Sequence, residues 1–175
     1  MDMMKAIIIL TLILVVFPIA LQGQDKEYNK ETESVSPNIE KILNGPITKD
    51  GLRKMPYKIW FNTSYKTYLV DTETLKNIKR KKLRDLKVLA FMGTWCHDSN
   101  REIPRLIRVM EELGKEEDLQ LYGVDINKKS EKGREQAYDI RKTPTIIFMV
   151  DGKEIGRILE KPEISFEQDL AKMLK

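Results

Sequence analysis

A strand that leads directly into a helix is the feature that most constrains how this chain can fold. The strand is the apolar run Val88–Met92, which shows no polar alternation and is therefore expected to be buried on both faces. It ends at Gly93-Thr94, and a segment with helical periodicity then extends from Cys96 to about Leu113. The junction therefore places a cysteine in the first turn of a helix.

Cys96 is the only cysteine in the chain, and its position indicates a reactive thiol. The free N–H groups and the positive dipole end of a helix stabilise an anion, here the thiolate. His97, the only histidine, would favour the thiolate when protonated, whereas Asp98 would oppose it. The alternative is that Cys96 is a small buried hydrophobe, as many free cysteines are. Its place between Trp95 and His97 argues against that alternative.

Two segments of the chain resemble the motifs of the thioredoxin superfamily. Trp95-Cys96-His97-Asp98-Ser99 resembles the active-site turn Trp-Cys-x-x-Cys, which follows a buried strand in that superfamily. Residues 142–148 resemble the cis-proline segment, and a hairpin at Asp151-Gly152 follows. The resemblance covers about residues 83–175 and is greatest to thioredoxin-like proteins of the bacterial envelope. It implies an α/β, thioredoxin-like fold, in which helices flank a central mixed sheet.

The order of the elements predicted over residues 83–175 agrees with this resemblance. The helix that starts at Cys96 contains Pro104, where thioredoxin-like proteins also carry a proline, and Gly114 ends it. The other elements predicted here are strands at 119–126, 145–150 and 154–159, and helices at 130–140 and 165–174.

Ser99 stands where thioredoxins have their second cysteine, and this replacement limits the chemistry. In the dithiol reaction the second thiol resolves the mixed disulfide, but a serine hydroxyl cannot form a disulfide. A complete dithiol cycle is therefore excluded, and Ser99 is expected to donate a hydrogen bond to the Cys96 thiolate. The interpretation is an exported protein that carries out monothiol–disulfide exchange, with Cys96 as nucleophile and with Ser99 and His97 as the other catalytic residues.

The resemblance also implies a substrate groove beside the thiol. Pro144 would be the cis-proline, and the backbone of Thr143 would pair with an extended peptide substrate, while Trp95 would shield the thiol and shape the groove. The expected partners are protein disulfides or small thiols as substrates and an external thiol reductant. The alternative function is a non-catalytic binding module for extended peptides or partner proteins, and the alternative for Pro144 is an ordinary trans-proline turn.

The composition argues against several other classes of protein. A net charge of +4 over 175 residues is a weak bias and is not typical of a nucleic-acid-binding protein. One cysteine and one histidine cannot supply a tetrahedral metal site without several carboxylates. We therefore expect no nucleic acid partner, no metal and no cofactor.

The start of the chain resembles a secretory signal peptide over residues 1–23. Lys5 supplies the positive charge, and the apolar run that follows, Ala6 to Leu21, is short for a membrane span, which needs about 20 apolar residues. This predicts export to the periplasm or the cell envelope, with a retained membrane anchor as the alternative. Residues 24–38 are polar and predict a flexible linker.

Residues 39–82 are predicted to form an N-terminal helical extension in front of the thioredoxin-like domain, residues 83–175. Ile39, Ile42 and Leu43 have helical spacing. An aromatic stripe follows, and it is either core or lid on the main domain or, alternatively, a ligand platform. Its members are Trp60, Phe61, Tyr65 and Tyr68.

A basic helix is predicted after this stripe, from about Thr72 to Leu83, with Asp71 as its N-cap. The run of basic residues in this helix extends past its predicted end as far as Lys87. They indicate either a solvated helix face or a surface that attracts anionic lipid or an acidic partner.

Overall fold

The structure is a computed structural model that describes residues 27–34 and 39–175. The strands within these residues are β1 (Glu31–Glu33), β2 (Lys41–Leu43), β3 (Gly45–Ile47), β4 (Leu86–Met92), β5 (Leu119–Gly123), β6 (Thr145–Val150) and β7 (Lys153–Leu159). The α-helices are α1 (Lys49–Leu52), α2 (Lys58–Thr67), α3 (Thr72–Lys76), α4 (Arg80–Leu83), α5 (His97–Glu112) and α6 (Phe166–Met173). Short 3-10 helices cover Glu116–Asp118 and Arg134–Tyr138.

Five of the strands form one mixed sheet in the spatial order β3-β5-β4-β6-β7. The central strand β4 is parallel to β5 and antiparallel to β6, and β7 returns antiparallel to β6 after a tight turn. The predicted α/β fold, a central mixed sheet flanked by helices, is confirmed. The strands predicted at 145–150 and 154–159 are present with almost the expected bounds.

From Val88 to Met92 both faces of β4 are buried, as this uninterrupted apolar run predicts. Val88, Ala90 and Met92 belong to the large core cluster that also contains residues of α2, α5 and α6. Leu89 and Phe91 point to the other face, where they join a smaller cluster around Tyr122, Val124 and Ile147. Because successive side chains of a strand alternate in direction, a strand without polar residues needs such cover on each side.

Helix α5 covers one face of the sheet and carries the site at its first turn. Its buried apolar residues include Ile103, Leu106 and Met110. Pro104 lies inside the helix, and Gly114 ends it with φ +62°. The Gly114 N–H donates to Glu111 O, and the Lys115 N–H donates to Met110 O. This pair of bonds satisfies carbonyl groups that the end of a helix leaves free.

The segment before the helices corrects two of the predictions. Helical spacing at Ile39, Ile42 and Leu43 indicated a helix, but residues 41–43 and 45–47 are strands β2 and β3. Residues 42–47 are buried without interruption, and β3 pairs with β5, so this segment extends the central sheet. The linker expected over 24–38 contains β1, which pairs antiparallel with β2. Local hydrophobic spacing cannot reveal a partner strand that lies 70 or more residues away.

The aromatic stripe is part of the core and is not a ligand platform, so the first of the two interpretations is confirmed. Phe61 is 1% exposed, stacks on Tyr65 with ring centroids 5.4 Å apart, and lies in the core cluster, against which Trp60 and Tyr68 also pack. Helix α2 thereby covers α5, the helix that carries the site.

Two other predicted helices differ from the structure. The basic helix expected at 72–83 is divided into α3 and α4, with Asn77 as the C-cap of the first and Lys79 as the N-cap of the second. Asp71 is the N-cap of α3, as predicted, and accepts from the Thr74 N–H at 3.0 Å. The weak amphipathic pattern at 130–140 forms only the 3-10 helix at 134–138.

The signal peptide expected at 1–23 lies outside the described residues. Within them, no helix is long and apolar enough to cross a membrane.

We expect Phe61→Ala to lower the free energy of unfolding by about 3–5 kcal/mol, because truncation of a buried Phe leaves a cavity between α2 and α5. Urea denaturation followed by circular dichroism measures this change. Ile59→Ala on the same helix is the matched control, because Ile59 is 66% exposed and its truncation should change the stability by no more than about 0.5 kcal/mol. Equal losses in the two variants would contradict the assignment of this stripe to the core.

Candidate functional site

The cysteine turn, Gly93–Cys96, connects the buried strand β4 to helix α5. Cys96 is the N-cap residue of α5, with φ −94° and ψ 124°. Its N–H donates to Gly93 O at 2.9 Å, and its carbonyl accepts from the Asn100 N–H at 3.0 Å. The thiol therefore lies at the positive end of a 16-residue helix, partly exposed to solvent.

Thr143 and Pro144 lie directly beside the thiol. The peptide bond between them is cis, as the resemblance implies, and both residues are buried. The Cys96 Sγ–H donates to the Thr143 carbonyl oxygen at 3.1 Å. The Thr143 N–H has no acceptor in the part of the chain that the structure describes. The tertiary structure thus brings together three residues that the sequence separates by 47 and 48 positions.

Ser99 has a different partner from the one expected. It is 0% exposed, and its Oγ accepts from the Gly93 N–H at 3.2 Å, so it holds the start of the cysteine turn. The expected hydrogen bond from Ser99 to Cys96 Sγ is not formed in this structure, where the bond that Sγ makes is to Thr143 O. A catalytic role of Ser99 stays a prediction, while its structural contact is with the backbone.

Trp95 closes one side of the turn. Its indole N–H donates to Val124 O at 2.9 Å, and the Lys128 ammonium lies 5.8 Å from the ring centroid. The ring lies so close to Gly93 that a Cβ at that position would be only 2.4 Å from Trp95 Cε2. The turn therefore needs glycine at position 93 because the tryptophan ring occupies the space of a side chain.

Thr94 and Asn100 are positioning residues that the sequence reasoning missed. Thr94 is 7% exposed, and its Oγ1 accepts from the Leu43 N–H at 3.2 Å, which ties the turn to the end of β2. With its amide oriented to match the surrounding carbonyls, Asn100 donates to Thr94 O and Cys96 O at 3.3 Å each. Both residues stand next to the motif, but their partners are backbone groups that no sequence pattern marks.

The charges beside the thiol form a network along α5. His97 is exposed, and its imidazole forms no hydrogen bond or ion pair within the described residues. Asp98 pairs with Arg101 at 2.7 Å, and the buried Glu102 pairs with Arg101 at 2.5 Å and with Arg105 at 3.2 Å. The hydrogen bonds that Arg101 donates to Glu102 and then to Asp98 raise the pKa of its guanidinium above its usual range.

This network changes what Asp98 does to the thiol. Alone, its carboxylate would oppose a thiolate two residues away, as the sequence suggested. The Arg101 cation lies against that carboxylate and offsets its field. The spacing of three residues between Asp98 and Arg101 on one helix is the sequence signal that could have revealed this pairing.

No group of three or more histidine, cysteine, aspartate or glutamate side chains within residues 27–34 and 39–175 is arranged to hold a metal ion.

Comparison with known proteins identifies the family. The family model described as Thioredoxin matches residues 53–173, which is more than half of the chain. The chain therefore belongs to the thioredoxin family. No curated protein matches it.

Three solved structures are similar to this chain. A protein of unknown function from Pseudomonas aeruginosa is 18% identical, with a TM-score of 0.42 and coverage of 66% of this chain and 69% of that chain. A mutant thioredoxin from Halobacterium salinarum is 19% identical, with a TM-score of 0.33 and coverage of 60% and 82%. Mitochondrial thioredoxin 3 from Saccharomyces cerevisiae is 20% identical, with a TM-score of 0.34 and coverage of 63% and 96%.

We expect Ser99→Ala to lower the free energy of unfolding by about 1–3 kcal/mol, because the buried Gly93 N–H loses its acceptor. The rate at which iodoacetamide alkylates Cys96 in the folded protein should change by less than about twofold, since Ser99 Oγ bonds to Gly93 and not to the sulfur. Ser64→Ala on α2 is the control for serine removal from a helix. A large fall in alkylation without loss of stability would show that Ser99 acts on the sulfur.

Proposed function

We propose that this protein carries out monothiol–disulfide exchange through Cys96, on protein disulfides or small thiols, after export to the periplasm or cell envelope. Cys96 is the nucleophile, and Thr143 and Pro144 bind the substrate strand beside it. The proposed export depends on the signal peptide predicted at residues 1–23.

The contact between Cys96 Sγ and Thr143 O carries this proposal. The thiol of Cys96 is partly exposed at a helix N-terminus and lies 3.1 Å from the carbonyl oxygen of Thr143. The N–H of Thr143 has no acceptor in the described part of the chain. An extended peptide can pair with that N–H and carbonyl as one strand pairs with another. Its disulfide sulfur would then lie next to Cys96 Sγ.

The reaction that these groups support is a pair of thiol–disulfide exchanges. The Cys96 thiol loses its proton to solvent, and the thiolate attacks one sulfur of a substrate disulfide. The Cys96–substrate disulfide forms, the substrate S–S bond breaks, and the departing thiolate takes up a proton. A second thiol, from an external reductant or from the same substrate, then attacks the mixed disulfide and releases Cys96 as a thiol.

The resting site has a feature that relates substrate binding to this chemistry. The Thr143 carbonyl oxygen lies 3.1 Å from the sulfur and accepts its S–H. A substrate N–H that bonds to Thr143 O would compete with this hydrogen bond. The sulfur at the N-terminus of α5 would then face the substrate disulfide instead of the carbonyl.

The same contact also favours the second candidate, a non-catalytic binding module for extended peptides. The Cys96 S–H is bonded to Thr143 O and the Ser99 hydroxyl is bonded to Gly93, so neither group is directed at a substrate disulfide. In that case the peptide groove beside Pro144 is the functional feature, and Cys96 only packs against it. The two candidates differ in whether Cys96 forms mixed disulfides.

The test measures glutathionylation of the folded chain by intact mass after mixing with oxidised glutathione at pH 7. We expect one glutathione adduct, formed about tenfold faster than in the urea-unfolded chain, because the fold holds the attacking sulfur partly exposed at the N-terminus of α5. Cys96→Ser should form none. The double variant Cys96→Ser with Ala137→Cys is the matched control, because it keeps one thiol but places it on an exposed residue far along the chain from the turn.

If the folded chain is glutathionylated no faster than the double variant Cys96→Ser with Ala137→Cys, the exchange reaction is excluded and the binding module remains. In that case Cys96→Ala should leave peptide binding at the Pro144 groove unchanged.

Ser99→Cys should restore a dithiol motif and make the protein reduce insulin disulfides with a suitable electron donor. The second thiol can attack the mixed disulfide inside the same chain, which Ser99 cannot do. Insulin turbidity measures this gain, with Ser64→Cys as a control that adds a thiol elsewhere. A folded Ser99→Cys protein without reductase activity would show that the site lacks more than its resolving thiol.

A further inference from the structure

Four consecutive cations on the surface form no ion pair with an Asp or Glu among the described residues. They form the basic segment, Lys79–Lys82, at the start of α4, and all four are exposed. No Asp or Glu carboxylate lies within ion-pair distance of them in the part of the chain that the structure describes, and Lys82 Nζ donates to the main-chain oxygen of Lys175, the last residue, at 3.4 Å. Neighbouring cations differ, since Lys76 pairs with Glu73 and Lys87 with Asp118.

Two cavities flank this segment, and each combines an apolar floor with cations at its rim. The larger, of about 500 Å³, has Leu75, Ile78 and Leu113 among its lining residues, together with Arg80, the carboxylate of Glu112, and Arg84, which pairs with Asp85. The smaller, of about 370 Å³, shares Ile78 and is lined on its charged side by Lys79 and Lys82. Cations from the basic segment therefore stand beside apolar surface on both sides of Ile78.

This surface lies at the opposite end of the molecule from Cys96. The larger cavity is lined by Leu113 and Lys115, which follow the C-terminal end of α5, whereas Cys96 caps its N-terminal end. A helix of 16 residues separates the two ends by about 24 Å. Anything that binds the basic segment would leave the cysteine turn open to solvent.

We propose that the basic segment and its two cavities form a docking surface for an anionic phospholipid membrane. Unpaired Lys and Arg side chains attract anionic headgroups, and the apolar floors can accept the glycerol and upper acyl region beneath a phosphate. A soluble acidic protein or a nucleic acid would satisfy the cations but would need no apolar floor between them. The absence of aromatic side chains within the basic segment further disfavours a single-stranded nucleic acid.

Docking in this way would orient the site. The end of α5 that lines the larger cavity would face the lipid, and Cys96 would point into the aqueous compartment. This orientation does not depend on the proposed exchange reaction, because it would present the Pro144 groove equally well to a peptide that is only bound.

The experiment measures the partitioning of the full chain onto vesicles by flotation. The vesicles contain either pure phosphatidylcholine or a mixture with 30% phosphatidylglycerol, at about 0.1 M salt. The ratio of the two partition coefficients cancels binding by the apolar N-terminal run, which is common to both. Each Lys or Arg near an anionic leaflet contributes about fivefold to that ratio.

The test variant replaces Lys79, Arg80, Lys81 and Lys82 together by Gln. The matched control replaces four other exposed cations by Gln, again three lysines and one arginine, with the same change in net charge: Arg53, Lys54, Lys58 and Lys66. We expect the test variant to lose at least about 30-fold of the anionic-to-neutral ratio, and the control to lose less than about threefold. Thermal unfolding and alkylation of Cys96 confirm that both variants are folded.

Two outcomes would overturn the proposal. Equal ratios for the test variant and the control would mean that the basic segment is an ordinary solvated surface. A test variant that keeps its vesicle binding but loses binding to soluble polyglutamate would assign the segment to an acidic protein partner instead.

Discussion

The burial of both faces of β4 is the constraint on which the rest of the structure depends. Side chains from α5 and the aromatic helix α2 cover one face, and a second cluster around Tyr122 and Val124 covers the other. A strand held on both sides cannot shift in register without moving apolar groups out of their contacts. Its end therefore delivers Gly93, and with it Cys96, to one fixed place at the N-terminus of α5.

Contacts from distant segments then fix the cysteine turn. Leu43 donates to Thr94, Trp95 donates to Val124, and the Cys96 thiol donates to Thr143. Each bond uses a backbone group of another segment, so the geometry of the thiol depends on the fold and not on the motif alone. The buried Ser99 belongs to the same set, because it accepts from the Gly93 N–H. A rigid scaffold of this kind positions a nucleophile or a peptide groove equally well.

Charge is distributed unevenly between the two ends of α5. Near the thiol, Asp98, Arg101, Glu102 and Arg105 neutralise one another pairwise. Beyond the other end, the basic segment Lys79–Lys82 carries four exposed cations that pair with no Asp or Glu in the described part of the chain. Ion pairs therefore offset the side-chain charges at the start of α5, while the opposite end of the molecule keeps an excess of exposed positive charge.

The sequence by itself determined the elements whose signal is local. The apolar run of β4, the stripe and capping glycine of α5, and the hairpin of β6 and β7 follow from periodicity and turn chemistry, and the lone cysteine excludes a dithiol cycle. Only the tertiary structure decided that residues 45–47 join the sheet, that Ser99 accepts a hydrogen bond from Gly93, and that the Cys96 thiol donates to Thr143. The strand pairing and the contact of Cys96 connect segments that are distant in the sequence, and Ser99 has several possible partners nearby. The spacing of neighbouring residues encodes neither a distant partner nor the choice among near ones.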